Sequence, residues 1–283
     1  MPELPEVETI RRQLEPVLVG RVVVDAWAFP SAKFAAAVET IGARVDTVGR
    51  RGKYLLCDLD DDRQLAIHLG MTGVLRVGEF GCESDGERDP YVRASFTLDD
   101  DTVVELHDVR RFGRIAVVPR GDHRTLPTLH ALGPEPLTDD FEVRAFHRAV
   151  AASARAVKTQ LLSQRPVAGI GNIYADEALW RARVHPAKRT LTRPQAARLH
   201  AAIRAVLAES IERHGTTLRD YRTFDGGSGT NQEALQVYGR AGEPCVACAT
   251  TLRSCVLDGR TTTWCPRCQR PNAEPRRRPQ PLR

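Results

Sequence analysis

The sequence has little of what marks membrane or secreted proteins. Its 283 residues contain no run of about 18 apolar residues, the length that spans a bilayer. The amino terminus, Met1-Pro-Glu-Leu-Pro-Glu, lacks both the basic and the apolar part of a signal peptide. We therefore expect a globular cytoplasmic protein that does not bind membranes.

Most of the chain also lacks an excess of positive charge. The formal charge is +5, but residues 265–283 hold six Arg and one Glu, which accounts for the whole excess. Any affinity of the body for DNA must then come from local clusters such as Arg50-Arg51-Gly52-Lys53. Residues 271–283 are rich in Pro and Arg and predict a basic disordered tail, with or without a function of its own.

The spacing of apolar residues changes along the chain and predicts an α+β protein. Residues 3–18 have helical spacing, whereas residues 21–118 contain short apolar runs between Gly and Asp-rich turns, a pattern typical of antiparallel strands in a sandwich or barrel. Glycines and prolines in residues 120–136 indicate a domain boundary. Beyond it, helical periodicity predicts helices over residues 141–153, 157–164, 172–183 and 194–213.

Four of the seven cysteines form two closely spaced pairs. Cys245-x2-Cys248 and Cys265-x2-Cys268, sixteen residues apart, fit a tetrahedral site for one Zn²⁺ ion. Two disulfides or four free thiols are the alternatives, which a reducing cytosol disfavours. Four thiolates leave no position for water, so the metal is expected to be structural. Of the other cysteines, Cys57 is expected in the core, and Cys82 and Cys255 fit no pattern.

Arg260 lies between the two cysteine pairs, five residues before Cys265. We expect it near the tip of a hairpin that the metal keeps rigid, where its guanidinium could bind a phosphate at two points. An ordinary solvated arginine is the alternative.

The first residues suggest a reactive amino terminus. Pro2 is a small second residue, so we expect Met1 to be removed and Pro2 to carry a free secondary amine. Neutral amines attack carbonyl or sugar carbons to give imines, and Glu3 is placed to exchange protons with the attacked sugar. By itself the Pro-Glu pair is equally compatible with an ordinary helix start.

Seven motifs then follow one another along the chain. They are Met1-Pro-Glu-Leu-Pro-Glu-Val-Glu-Thr, Arg51-Gly-Lys53-Tyr, His68-Leu-Gly-Met71-Thr-Gly, Asp108-Val-Arg110-Arg111-Phe112-Gly, Leu132-Gly-Pro-Glu-Pro-Leu, Gly169-Ile-Gly-Asn172-Ile-Tyr-Ala-Asp-Glu177 and Gln236-Val-Tyr238-Gly-Arg. With the cysteine module after them, the chain resembles the formamidopyrimidine-DNA glycosylases, bifunctional glycosylases and abasic-site lyases, from residue 1 to about residue 270.

The resemblance implies the domain organisation. A catalytic two-layer antiparallel β-sandwich over residues 1–120 would be joined by a linker, 121–136, to a helix-two-turns-helix DNA-binding domain over 137–230. A zinc finger over 236–270 and the tail, 271–283, would complete the chain. We expect a monomer that binds double-stranded DNA with oxidised bases or abasic sites in the cleft between the two domains.

The resemblance also assigns chemistry to four residues. Pro2 would be the nucleophile that forms a Schiff base at C1′ of the damaged nucleotide, with Glu3 as its acid-base partner. Lys53 would donate a proton during β-elimination. Arg260 would bind a phosphate and support δ-elimination.

Further residues would contact the DNA. Met71, Arg110 and Phe112 would enter the helix where the damaged base has left, and the guanidinium of Arg110 would pair with the orphaned base. The residues that would hold the phosphates around the everted nucleotide are Lys53, His68, Asn172, Tyr238 and Arg260.

The chain departs from the family at three places. The family usually has a His before the strand at Ala94, where this chain reads Tyr91-Val-Arg93, and we assign that DNA contact to Tyr91. A basic residue expected shortly before Lys158 is displaced, with Arg155 as its nearest substitute. The loop that covers the everted base in the family normally has an aromatic residue, whereas residues 226–231 read Gly-Gly-Ser-Gly-Thr-Asn, which leaves lid closure open.

We therefore expect a base excision repair enzyme for oxidised purines, namely 8-oxoguanine and formamidopyrimidines. A related endonuclease that prefers oxidised pyrimidines is one alternative. It is disfavoured by Leu4 and by the segment Arg110-Arg111-Phe112, which would insert into the DNA. A non-catalytic zinc protein that clamps damaged DNA is the other. The presence of Pro2, Glu3 and Lys53 argues against it.

Overall fold

The fold is known from a computed structural model that describes residues 1–78 and 89–271. Cys82 and residues 272–283 of the predicted tail lie outside the described residues. Within the described ranges, no helix combines the length and the apolar character needed to cross a membrane.

Eight antiparallel strands in the first 119 residues form two sheets. They are β1 (Val23–Ala28), β2 (Val45–Arg51), β3 (Tyr54–Leu59), β4 (Arg63–His68), β5 (Gly73–Gly78), β6 (Val92–Leu98), β7 (Val103–Asp108) and β8 (Arg114–Pro119). One sheet has the order β1-β6-β7-β5 and the other β2-β3-β4-β8. The predicted two-layer antiparallel sandwich is confirmed.

The main core is shared by both sheets and the first helix, α1 (Leu4–Leu18). Val7, Ile10 and Leu14 recur at helical spacing, so all three side chains lie on one face and are buried with residues of both sheets. Pro5 lies in the first turn of α1, where the fixed φ of proline suits a helix. The N–H that proline lacks would have no intrahelical partner there.

Strand β3 is buried on both of its faces, which explains its uninterrupted apolar sequence. Leu55 and Cys57 point into the sandwich core, as predicted for Cys57. Tyr54 and Leu56 point the other way, into a second cluster that includes Leu129 of the short helix α2 (Pro127–His130). A strand covered on both sides needs no polar alternation.

The four predicted helices are present, and each end lies within two residues of its expected position. They are α3 (Val143–Ala151), α4 (Val157–Leu162), α5 (Asn172–Arg181) and α6 (Arg193–Glu212). All four end one or two residues earlier than predicted, and a left-handed residue follows α4 and α5, namely Gln164 with φ +57° and Arg183 with φ +54°.

The cysteine module carries a two-stranded hairpin, β9 (Arg253–Leu257) and β10 (Arg260–Trp264). Asp258 and Gly259 connect the strands with φ of +47° and +74°, the left-handed pair that a tight two-residue turn requires. Arg260 is therefore the first residue after the tip. Cys255 lies on β9 with its side chain exposed.

The described chain forms two compact units, each built from three segments. The first contains residues 1–141, 164–171 and 204–235, and the second contains residues 142–163, 172–203 and the chain from 236 onward. The five consecutive ranges expected from the sequence stay a prediction.

Candidate active site and nucleic-acid-binding residues

Within the first unit, Glu3 is fixed at the start of α1. Its side chain is 2% exposed, and its Oε2 accepts a hydrogen bond of 2.6 Å from the backbone N–H of Gly171. Its own N–H donates to Oε2 of Glu6 at 2.8 Å. Pro2, the preceding residue, is buried as well. The carboxylate is thus held in a defined position, one residue from the candidate nucleophile.

Two glycines allow the segment 168–171 to approach the start of α1. A Cβ on Gly171 would lie 2.2 Å from Cδ of Glu3, and one on Gly169 would lie 2.5 Å from Cδ1 of Leu4. Gly169 also has φ +81° and accepts a hydrogen bond of 3.1 Å from the N–H of Leu4. Only glycine permits both the contact and this backbone conformation.

Lys53 lies in the turn between β2 and β3 and is 4% exposed. The preceding Gly52 has φ +55°, and a Cβ there would lie 3.6 Å from Cβ of Ala168 and 3.5 Å from N of Gly169. The turn therefore packs on the same segment, 168–171, that contacts Glu3. The first unit brings these predicted catalytic residues to one place.

Glu135 holds this turn, a role that the sequence analysis did not find. Its Oε1 accepts from Gly52 N at 2.6 Å and from Arg51 Nη1 at 3.1 Å, and its Oε2 accepts from Arg50 Nη1 at 2.8 Å. Both arginines are consequently neutralised by a carboxylate. The contribution of this basic cluster to DNA affinity stays a prediction, and the structure adds that Glu135 compensates part of its charge.

His68 ends β4 opposite Tyr54, the neighbour of Lys53. Burial, followed by the charges of Lys53 and Arg114, lowers the pKa of His68 to about 4. Its Nδ1 accepts a hydrogen bond of 3.0 Å from the N–H of Gly70. A backbone N–H can only donate, so the proton of the neutral ring sits on Nε2, which is left as a donor.

Met71, Arg110 and Phe112 lie on two neighbouring loops of the same unit. Met71 is in the turn between β4 and β5, and the other two are exposed between β7 and β8. The guanidinium carbon of Arg110 lies 4.7 Å from the ring centroid of Phe112. The two loops also meet at Gly70, where a Cβ would lie only 2.4 Å from the carbonyl carbon of Phe112.

The departure at Tyr91-Val-Arg93 has a clear structural basis. Tyr91 is 45% exposed, with its ring edge-on to His107 at 5.5 Å. Arg93 is buried and donates from Nε to the carbonyl of Asp108 at 2.8 Å, while its guanidinium lies 4.9 Å from the ring centroid of Phe29. Arg93 therefore supports the loop after β7, and of the two side chains only Tyr91 is accessible to a ligand.

Within the second unit, Asn172 lies beside the hairpin strand that begins with Arg260. Asn172 Nδ2 donates to the carbonyl of Thr261 at 3.0 Å. The side chain of Arg260 is exposed. The structure thus brings together two of the predicted phosphate ligands.

A buried ion pair, which the sequence analysis did not predict, fixes the same strand. Lys158 Nζ lies 2.7 Å from Oδ1 of Asp176, and both side chains are at most 1% exposed. Lys158 also donates to the carbonyl of Thr261 at 3.0 Å and to Oγ1 of Thr262 at 2.9 Å. Asp176 Oδ2 accepts from Thr263 N at 3.0 Å. Helices α4 and α5 therefore hold β10 through compensated buried charges.

Tyr238 and Arg155 complete the predicted set in this unit. The Tyr238 N–H donates to Oε1 of Glu177 at 2.9 Å, and Val237 N and Gln236 N bind the same carboxylate. Burial raises the pKa of Glu177, while the three N–H donors act in the opposite direction. Arg155 is exposed in the connection before α4.

The four paired cysteines converge on one point. Their Sγ atoms all lie within 4.8 Å of one another, with Cys248 and Cys265 3.5 Å apart and Cys245 and Cys268 4.0 Å apart. A tetrahedral zinc ion with Zn–S bonds of about 2.3 Å requires sulfur separations of about 3.8 Å. The donor set and its spacing fit that ion.

Comparisons with known families cover nearly the whole chain. The model of the formamidopyrimidine-DNA glycosylase N-terminal domain matches residues 1–115, and that of the formamidopyrimidine-DNA glycosylase H2TH domain matches residues 132–222. The zinc finger found in FPG and IleRS matches residues 242–271. Together with the sulfur geometry, this match identifies the cysteine cluster as the site of one structural zinc ion.

Individual relatives agree with these matches. A formamidopyrimidine-DNA glycosylase of Thermus thermophilus is 46% identical over 273 residues, covering 95% of this chain and 98% of the relative. That of Deinococcus radiodurans is 43% identical over 282 residues, covering 95% of this chain and 97% of the relative.

Solved structures are similar over the same length. The crystal structure of MutM (Fpg) from Thermus thermophilus has a TM-score of 0.87 at 45% identity and covers 95% of this chain and 98% of that one. Lactococcus lactis Fpg in complex with abasic-site DNA has a TM-score of 0.85 at 34% identity and covers 95% of this chain and 100% of that one.

Proposed function

The chain belongs to the formamidopyrimidine-DNA glycosylase family, and we propose that it excises oxidised purines from duplex DNA and then cuts the strand by β,δ-elimination. Members of this family are bifunctional DNA glycosylases and abasic-site lyases of DNA repair, and this chain is one of them. The observation that carries the proposal is that Glu3, which follows Pro2, and Gly52, which precedes Lys53, both pack on segment 168–171.

The first step requires an uncharged nitrogen on Pro2 after removal of Met1. That nitrogen attacks C1′ of the everted nucleotide, the bond from C1′ to the base breaks, and the base leaves with a proton. Glu3 exchanges protons with the sugar as its ring opens, which leaves a cationic imine (an iminium ion) between Pro2 and C1′, because proline is a secondary amine. The hydrogen bond from Gly171 helps to hold this carboxylate in one position.

Strand cutting then proceeds from the imine. Loss of a proton from C2′ expels the 3′ phosphate, and Lys53 supplies a proton during this β-elimination. His68, whose Nε2–H is a donor at neutral pH, is suited to bind a neighbouring phosphate oxygen. Arg260, on the strand held by Asn172, binds the other phosphate and supports its departure in the δ-elimination. Tyr91, Arg155 and Tyr238 supply further contacts to the DNA.

Eversion of the damaged base leaves a gap in the helix. Unstacking costs a few kcal/mol, which the apolar side chains of Met71 and Phe112 offset by filling that gap. The guanidinium of Arg110 pairs with the orphaned base opposite. A solved relative, MutM in complex with DNA containing carbocyclic 8-oxo-G, supports an oxidised purine as the substrate.

Borohydride trapping tests the nucleophile. Reduction of the imine should link the protein covalently to a lesion-containing duplex, and Pro2→Gly should lose most strand cutting while DNA affinity stays within about threefold. Pro5→Gly is the matched control, since it removes a proline from the same helix start. Full retention of cutting by Pro2→Gly contradicts the assignment, and no adduct with the wild type would indicate a protein that only clamps damaged DNA.

A panel of duplexes tests the substrate class. Each duplex carries one oxidised base, and excision and strand cleavage are measured together. We expect 8-oxoguanine and formamidopyrimidine to be excised at least about tenfold faster than oxidised pyrimidines. Faster excision of oxidised pyrimidines would favour the alternative endonuclease while leaving the Pro2 chemistry intact.

A further inference from the structure

The two loops that carry Met71, Arg110 and Phe112 are joined by a buried carboxylate. Asp108, the last residue of β7, has no exposed surface. Its Oδ1 accepts a hydrogen bond of 2.5 Å from Oγ1 of Thr72, the residue after Met71. Its Oδ2 accepts a hydrogen bond of 2.7 Å from the N–H of Gly113, the residue after Phe112. Each carboxylate oxygen of Asp108 therefore binds one of the two loops.

Thr72 completes the link from the other side. Its Oγ1 donates to Asp108 and also accepts a hydrogen bond of 3.3 Å from the N–H of Arg110. The backbone of Asp108 is fixed as well, because its carbonyl accepts from Nε of Arg93 at 2.8 Å and from the N–H of Arg111 at 3.4 Å.

Backbone packing reinforces these hydrogen bonds. At Gly70, which has φ +65°, a Cβ would lie 2.6 Å from the N of Gly113, so the two loops touch main chain to main chain. Lys33 Nζ donates to the carbonyl of Arg111 at 2.8 Å and supports the second loop from outside. The loops have no independent freedom as long as these contacts persist.

We propose that Asp108 and Thr72 form a positioning pair that makes Met71, Arg110 and Phe112 a single rigid unit, so that the three side chains enter DNA together. The inference rests on the insertion role given to those residues under the proposed function. A rigid unit places all three side chains without ordering each loop at the moment of binding. Separate loops would have to lose conformational freedom twice during eversion.

The test compares Thr72→Val with Thr72→Ser. Valine keeps the branched shape but removes the hydroxyl, whereas serine keeps the hydroxyl and removes a methyl group. We expect Thr72→Val to lower single-turnover excision of the damaged base about tenfold, a factor that corresponds to about 1.4 kcal/mol. Thr72→Ser should stay within about twofold of the wild type.

A second substrate separates positioning from general damage to the fold. At a preformed abasic site no base has to be everted, so strand cutting by Thr72→Val should stay within about twofold of the wild type. Fluorescence of a 2-aminopurine placed beside the lesion reports unstacking, and its rise on binding should be slower for the valine variant than for the serine variant.

Cys57→Ala, a core change on β3 away from both loops, controls for lost stability. The inference is overturned if Thr72→Val has the same melting temperature as Cys57→Ala and excises the damaged base no more slowly than that variant. Equal loss of excision and of abasic-site cutting overturns it too. A wild-type protein that excises no oxidised base would contradict the proposed function instead, so the two failures are distinguishable.

Discussion

At the scale of single residues, burial sets the protonation state of His68. Burial beside Lys53 and Arg114 lowers its pKa to about 4, and the N–H of Gly70 fixes the tautomer of the neutral ring. Neutral His68 can therefore donate from Nε2 at neutral pH.

The depressed pKa of His68 predicts a pH dependence of stability. Between its folded pKa of about 4 and the unfolded value of about 6.5, the unfolded chain binds a proton that the folded chain does not. Stability conferred by a neutral His68 is thus lost as pH falls through this window. We expect the wild type to lose about 2 kcal/mol more than His68→Gln between pH 7 and pH 5.

The measurement is the free energy of unfolding in urea at both pH values. The exposed His130 offers a matched control, and His130→Gln should follow the wild type. Parallel pH profiles for the wild type and His68→Gln would show that the ring is not protonated more readily on unfolding, contrary to the prediction.

At the scale of elements, periodicity predicted the strands and helices well because it reports which face of each element is buried. It did not predict which helices and strands pack on one another. Lys158 and Asp176 are ordinary helix residues in the sequence, and only the packing of α4 and α5 on β10 shows that they form a buried pair. The motif that contains Glu135 likewise did not show which residue its carboxylate binds. The structure shows that it accepts a hydrogen bond from the N–H of Gly52.

The segment 168–171 provides a test of how tightly one element is fitted to the catalytic residues. A methyl group at Gly171 would lie 2.2 Å from Cδ of Glu3, so Gly171→Ala must displace the carboxylate or the segment. A misplaced acid-base group loses the factor of about 10² to 10⁴ that such catalysis contributes. We expect Gly171→Ala to reduce excision at least about 100-fold while DNA affinity changes less than about threefold.

Gly49→Ala on β2 is the control, because a Cβ there would meet only the carbonyl oxygen of Leu56 at an ordinary 3.6 Å. Single-turnover excision and DNA affinity are measured for both variants. Wild-type excision by Gly171→Ala would mean that Glu3 tolerates displacement, which would remove support for its acid-base role.

At the scale of the whole molecule, one part of the second compact unit depends on a metal ion for its stability. The first has a core shared by two sheets and α1. The second includes a small cluster in which Cys245 and Cys265 pack with Val237 and Leu252. The sequence indicated this dependence, since four cysteines at zinc spacing lie in this part of the chain. It could not give the units themselves, which combine segments distant in sequence.

Removal of zinc should therefore affect the two units unequally. Structural zinc contributes about 10–16 kcal/mol in small modules, as much as the whole stability of a typical domain, so the hairpin that carries Arg260 should lose its structure without the ion. We expect chelation to weaken DNA binding at least about tenfold, while amide exchange in β3 and β4 stays slow. Cys248→Ser should behave like chelation, and Cys255→Ser, at an exposed site outside the cluster, should bind DNA normally. Unchanged affinity after verified loss of zinc would mean that the metal does not hold Arg260 in place.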